Sequence, residues 1–252
     1  MHDADVISII PLSHLAIAFI PALLVIALFY WWQLKIGSVV YAFIRMLVQL
    51  LLVGYFLLWI FNAGQSWIVL ILLLAMVAIS SWISLRTVTQ HRTALYLTAL
   101  VSIAIGGGIT LALVTQIVLE TDPWFRANTL IPLAGMIFSN SMNGISLAAD
   151  RLIIELKSSA DYRLARNAAL HTALIPMINS LFAVGLVALP GMMTGQILSG
   201  ISSLIAARYQ IMVMCMLFGA AGLSTILFLT LSQRHWVNQT ELLKNRPTDR
   251  VD

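Results

Sequence analysis

Seven runs of apolar residues, parted by short polar stretches, take up most of the chain: Leu12 to Leu34, Val39 to Phe61, Trp67 to Leu85, Ala94 to Leu119, Thr129 to Ala149, Ala168 to Leu189 and Tyr209 to Leu231. A hydrocarbon core of roughly 30 Å is crossed by about 20 helical residues, and every run reaches that order of length. Backbone groups inside lipid must bond one another, which leaves helices as the form these runs take. The pattern predicts an all-α, polytopic membrane protein with seven transmembrane helices. A single transmembrane domain would fill residues 1–232, and a tail would occupy 233–252.

Composition agrees. With 60% hydrophobic and 10% charged residues and a mean hydropathy of +0.95, a water-soluble fold has nowhere to put its apolar surface. The net charge of +4 matters through its distribution, because basic residues in short loops stay on the cytoplasmic side. With seven spans and an outer N-terminus, the inner segments receive Lys35, Arg86, Arg92, Arg151, Lys157, Arg163, Arg166, Arg234, Lys244, Arg246 and Arg250. Those are eleven of the 14 Lys and Arg. The outer segments hold Arg126 and Arg208 beside Asp3, Asp5, Glu120 and Asp122, and Arg45 lies within the second run. The predicted topology is therefore N-terminus outside and C-terminus cytoplasmic. Basic residues spread between spans also argue against a nucleic-acid partner.

The first run is longer than a signal-peptide core and lacks a basic segment before it, so it is read as a retained span. Cys215 is the one cysteine and excludes an intramolecular disulfide and a cysteine metal cluster. The outer connections at 62–66 and 121–128 are too short to fold into a capture domain. One inner connection, Asp150 to Asn167, has a character of its own, reading DRLIIELKSSADYRLARN. Leu152, Ile153, Leu156, Ala160 and Leu164 recur at helical spacing among charges, with a break at Ser158 and Ser159. The expectation is two short amphipathic pieces forming the largest inner docking surface. The tail from Ser232 to Asp252 is expected to fray.

Polar residues within spans cost free energy and are kept for packing or for a path. Arg45 and Gln49 lie four apart in the second span; Asn140 and Asn143 lie three apart in the fifth beside Ser139 and Ser141; Asn179 and Ser180 follow Pro176 near the start of the sixth. No Asp or Glu falls within any of the seven runs, which disfavours a proton-coupled carrier, while sodium coupling through Asn and carbonyl oxygens stays open. Gly106, Gly107 and Gly108 are expected to interrupt span four, and Pro132 with Gly135 to open span five. Pro190, Gly191 and Gly195 are expected to form a hinge, the two glycines at Gly-x-x-x-Gly spacing, within a buried turn or cavity wall at 190–200. Met136, Met177, Met192, Met193 and Met212 would suit a soft cation, although core filling is the commoner use of methionine, and no metal or cofactor site is assigned.

Hydrolase elbows, zinc pairs and the phosphate loop Gly-x-x-x-x-Gly-Lys-Ser/Thr are absent, so the chain is not expected to be an enzyme or to hydrolyse ATP. Asn238-Gln239-Thr240 matches a glycosylation acceptor on the predicted cytoplasmic side and is set aside.

The strings IRMLVQLLLVGY at 44–55, IPLAGMI at 131–137, ALIPMINSLFAVGLVALPGMMTGQILSG at 173–200 and YQIMV at 209–213 resemble the FetB family of ABC-transporter permeases, in order from about residue 40 to 232. The resemblance implies a permease subunit of the inner membrane that exports iron or another small solute, powered by a separate ATP-binding cassette ATPase chain. It also implies that the loop at 150–167 meets that ATPase, with Leu156, Asp161, Tyr162 and Arg163 as coupling candidates. A homodimer would give each of two ATPases a partner. The chain departs from related permeases in lacking their Leu-Gly-Ala type turn, reading Leu156-Lys157-Ser158-Ser159-Ala160-Asp161 there. Candidates for the substrate path are Gln49, Asn140, Asn143 and Asn179, then Met136 and Met177. A stand-alone carrier or channel and a noncatalytic scaffold stay open as alternatives.

Overall fold

The computed structural model describes residues 11–63, 65–158 and 161–237. His2, Asp3, Asp5, Ser159, Ala160, the Asn238 acceptor and the rest of the tail lie outside the described residues. Helices account for the described architecture, and a lone bridge between Val184 and Ala188 is the one β-type pairing among them. The chain divides into two compact units, residues 1–63 and 64–252.

The first unit holds α1 (Leu12–Ile17), α2 (Ile20–Trp31) and α3 (Gly37–Ala63). Pro21 opens α2, where its missing N–H costs nothing because the first turn has no partner to offer it. A turn with Gln33 at φ 55° then leads to α3. The membrane-length stretches Ser13–Trp31 and Gly37–Gly54 bury none of their residues.

The second unit holds α4 (Ser66–Ser84), a 3-10 connector (Arg86–His91), α5 (Arg92–Ala112) continuing through a π turn (Leu113–Val118), α6 (Ala127–Ser158), α7 (Tyr162–Ala183), α8 (Gly191–Leu198) and α9 (Ser203–Leu231). Small residues decide how it packs. A Cβ on Gly106 of α5 would lie 2.6 Å from Ser224 Oγ and 2.7 Å from Ser224 N of α9, and one on Gly144 of α6 would lie 2.6 Å from Thr225 Oγ1. Ser141 Oγ donates to the Ala220 carbonyl at 3.2 Å and Ser224 Oγ donates to Ser141 Oγ at 3.1 Å. Helix α9 is thus held between α5 and α6 by close backbone approach and hydroxyl bonds, which is how helices associate where the solvent is itself apolar.

Among the described residues, five stretches are long and apolar enough to cross a membrane: Ser13–Trp31, Gly37–Gly54, Ser66–Ser84, Arg86–Val118 and Ser203–Leu231. Helices α6 and α7 have the length, but their serines, asparagines and charges dilute the apolar content. Several features differ from the sequence reading. Pro132 and Gly135 do not open span five: α6 begins at Ala127 and carries Pro132 inside it. The glycine triplet does not interrupt span four: α5 runs through it, because Gly106 and Gly107 repay their poor helix propensity by admitting α9 and Phe138, and the irregularity falls later, at the π turn. Helix α7 starts already at Tyr162, carries Pro176 in its interior, and ends at Ala183 rather than Leu189. There Gly185 adopts φ 83° and the Ala183 carbonyl accepts from Val187 N at 2.8 Å and Ala188 N at 3.0 Å, a turn that only glycine enters without strain. Finally, the tail does not fray at once: Trp236 is 4% exposed.

Candidate functional site

The helices of the second unit bring functional candidates to two opposite ends. At one end, α6 extends to Ser158 and α7 begins at Tyr162, so the segment 150–167 is the meeting of two long helices rather than two short pieces. At 32 residues, α6 is about 48 Å long, well beyond a hydrocarbon core. Asp161 caps α7, its carboxylate accepting from Arg163 N at 2.8 Å and Leu164 N at 3.4 Å, two of the donors a helix start leaves unpaired. Tyr162 is buried, and its hydroxyl donates to the Leu229 carbonyl near the end of α9. Burial pushes its phenol above the ordinary value, offset in part by Ser232 and the Arg166 guanidinium. Leu152 is fully buried, while Ile154 and Leu164 are 51% and 62% exposed. Arg151 pairs with Glu155 one turn on, and Arg163 is exposed and Leu156 half-buried.

The 3-10 connector and the residues after α9 join this same end. His91 and His235 face one another with ring nitrogens 3.4 Å apart, and Trp236 packs edge-on against both rings. Burial, then the neighbouring His91, holds the His235 imidazole below its ordinary pKa. Arg92 donates to the Trp82 carbonyl at 2.7 Å and lies 3.7 Å over the Trp82 ring. Arg86, Arg92, Arg151, Lys157, Arg163, Arg166 and Arg234 all belong to these segments, against Asp150, Glu155 and Asp161.

At the opposite end lies a cleft of about 770 Å³ between the starts of α6 and α9, α8 and the 119–129 segment. Its lining includes Glu120, Asp122 and Arg126, the thioethers Met136, Met192 and Met212, and Tyr209. Glu120 adopts φ 46°, and the Arg126 guanidinium donates to the Asp122 carbonyl at 2.7 Å. Carboxylates and thioethers facing one space can meet a cation with hard or soft ligands. Among the described residues no group of three or more His, Cys, Asp or Glu could hold a metal ion.

The cleft collects Met136 but neither Met177, which is buried on α7, nor the path candidates Asn140, Asn143 and Asn179. Asn140 is half-buried and donates to the Met136 carbonyl of its own helix at 2.9 Å. Asn143, Asn179, Ser139 and Ser180 are exposed, as is Gln49 on α3. Helix α8, with Gly191 and Gly195, has no buried residue, and Met192 supplies its part of the cleft wall. Missed in the sequence were Ser224, Thr225 and the buried Gln210, whose Oε1 has no partner among the described residues. Their signal was the run of small residues in the last span, which hydropathy alone does not register.

These features define an integral membrane protein built as a helical bundle. The chain belongs to the uncharacterised protein family UPF0014, whose sequence model matches residues 12–237. It is 32% identical over 237 residues to the UPF0014 membrane protein slr1647 of Synechocystis, covering 86% of this chain and 90% of that one. It is 32% identical over 214 residues to the "Probable iron export permease protein FetB" of Escherichia coli, covering 79% and 81%, and 32% identical over 227 residues to "Protein ALUMINUM SENSITIVE 3" of Arabidopsis thaliana, covering 84% and 82%. The FetB resemblance read from the sequence is thereby borne out. No solved structure matches.

Proposed function

We propose that the chain is the membrane-spanning subunit of an ABC transporter, exporting a metal ion or similar small solute across the inner membrane while a separate ATPase chain supplies the energy. The observation that carries this reading is the basic end of the second unit. It projects beyond membrane length on α6, exposes Ile154 and Leu164 among charges, and is pinned to α9 through Tyr162. A chain whose sequence carries no phosphate loop has use for such an elbow as the place where force enters. The relative named as an iron export permease supports the cargo class.

The same charge bias supports an elbow in the cytoplasm and a cleft outside. Counting α6 and α7 as crossings despite their polar content gives seven spans with the N-terminus outside. Asn143, Asn179, Ser139 and Ser180 would be costly against lipid, and a second copy of the chain covers them, so that Asn140, Asn143 and Asn179 line a path between subunits; Gln49, exposed on α3 of the first unit, is a path candidate on its polarity within a span alone. Met136 lies where that path opens into the cleft; Met177, buried on α7, reaches it as the helices move. Pro190, Gly191 and Gly195 let α8 move as a flap on the cleft. ATP closing the ATPase pair would draw the elbows together and rock the bundles between inner and outer access.

The test is co-purification with the cassette ATPase and ATP-driven loading of inverted vesicles with ferrous iron. Ile154→Asp with Leu164→Asp should weaken the complex at least ten-fold while leaving the bundle folded. Asp161 is a poor site for that test, since Asp161→Arg also removes the α7 cap, at about 1 kcal/mol; Arg163→Glu with Leu156→Asp asks the same question without it. Transport by the chain alone under an ion gradient would instead establish the carrier reading.

A further inference from the structure

The basic end also holds a pair of side chains that the coupling reading does not use. His91 closes the 3-10 connector between α4 and α5, His235 follows α9 in sequence, and the fold brings His91 Nδ1 and His235 Nε2 to 3.4 Å with the rings at 78°. Two imidazole nitrogens bound to one tetrahedral ion at about 2.0–2.1 Å are themselves about 3.3–3.4 Å apart. We propose that His91 and His235 form a two-imidazole site for a divalent first-row cation, of the class that zinc, copper and nickel represent, bridging the α4–α5 connector to the residues after α9.

The chemistry suits the place. Imidazole is a ligand for this class of ion, both rings are partly exposed, and water can complete the coordination as it does at open sites. In the metal-free pair one ring donates an N–H to the other. On binding, that ring moves its proton to its second nitrogen, so both facing nitrogens present lone pairs and no net proton is released. The nearest chain neighbours oppose a cation, since Arg86, Arg92 and Arg234 sit on the same two segments. Arg92 is turned away onto Trp82, and Arg86 and Arg234 are exposed, where solvent and salt screen them. Trp236, 4.8 Å from the His91 ring and 5.3 Å from the His235 ring by centroids, gives the site a built-in reporter. The proposal stands on this geometry and needs neither the ATPase nor the export reading.

Full-length protein in lipid nanodiscs should be titrated with Cu2+ and with Zn2+. Cu2+ should quench the fluorescence that Trp236→Phe removes, and its electron paramagnetic resonance should carry splitting from two nitrogens. Zn2+ at about 100 times its dissociation constant should raise the unfolding midpoint by about 5 °C or more. His91→Gln and His235→Gln should each weaken binding at least ten-fold. Saturable binding that survives both substitutions, or a wild-type copper signal with fewer than two nitrogens, overturns the proposal. The second readout needs no variant, so a glutamine variant that fails to fold leaves the question decidable. Absence of any zinc shift in the wild-type chain overturns it as well.

Discussion

Glycine serves two opposite purposes at the two ends of the α6–α9 region. In the seam where α9 passes between α5 and α6, Gly106 and Gly144 leave no room for a methyl group. On α8, Gly191 and Gly195 have nothing within 4 Å of where a Cβ would stand. Gly191 and Gly195 have the spacing associated with close helix packing and belong to the open segment, whereas Gly106 and Gly144 come from different helices and form the tight one. A glycine's role therefore follows from what faces it, and a one-dimensional spacing does not supply that.

The largest effect that can break this contrast is expected at Gly106. A Cβ there meets the backbone of Ser224, N at 2.7 Å and Cα at 2.9 Å, and backbone cannot rotate out of the way. Gly106→Ala should cost about 1–3 kcal/mol through separation of α5 and α9, and Gly106→Leu should abolish folded yield. Thermal unfolding in detergent, followed by intrinsic fluorescence, reads the first. An alanine variant as stable as the wild type would mean the seam is not tight in the membrane.

At Gly144 the obstacle is a side chain. The added methyl meets Thr225 Oγ1 at 2.6 Å, an oxygen without a hydrogen-bond partner among the described residues. Gly144→Ala should cost less than Gly106→Ala, and adding Thr225→Ala should recover much of the loss. Contacting residues couple in this way, by about 0.5–3 kcal/mol. Strict additivity of the two substitutions would show that α6 and α9 do not meet there.

The seam also explains what the sequence could and could not disclose. Apolar helices of membrane length and the helical character of the residues around 150–158 and 162–167 were legible, because hydropathy and amphipathic spacing are local signals. Which faces meet was not legible. Helix α9 is apolar around its whole circumference, so periodicity cannot say that Ser224 and Thr225 face inward. The asparagines are the more polar residues of the spans, yet Asn140 bonds its own helix at the Met136 carbonyl, and the bond across helices is made by Ser141. At the elbow, Tyr162 is buried with its hydroxyl on the Leu229 carbonyl near the end of α9, a long-range contact that no local spacing announces. The cleft draws on residues near 120, 136, 192 and 210, which no local pattern connects.

Where the seam reaches the elbow, Tyr162→Phe sharpens the comparison further. The Leu229 carbonyl is among the last four of α9, which have no acceptor role within the helix, and the Tyr162 hydroxyl serves it from α7. Losing that bond should cost about 0.5–1.5 kcal/mol while leaving ATPase binding intact. If Tyr162 carries motion from elbow to α9, stimulated ATP hydrolysis and transport should come apart in this variant. Unchanged coupling would confine Tyr162 to stability.

The smallest effect is expected on α8 and has the opposite sign. Gly195 lies in the interior of an eight-residue helix with open space beyond its Cα, so Gly195→Ala should stabilise that helix by up to about 1 kcal/mol. The flanking turns are different: Gly185 and Gly200 adopt φ 83° and 85°, and alanine there would be strained rather than helpful. If α8 is a flap on the cleft, Gly195→Ala should leave the unfolding midpoint equal or higher and leave transport intact, because the rigid body only stiffens. Gly185→Ala and Gly200→Ala should slow transport by hindering the hinges. If instead Gly191 and Gly195 receive a helix from a second copy, Gly195→Ala should lower the dimer fraction on cross-linking while the monomer stays as stable as before. That outcome would replace the flap with an interface and restore to the Gly-x-x-x-Gly spacing the meaning it lacks within one subunit.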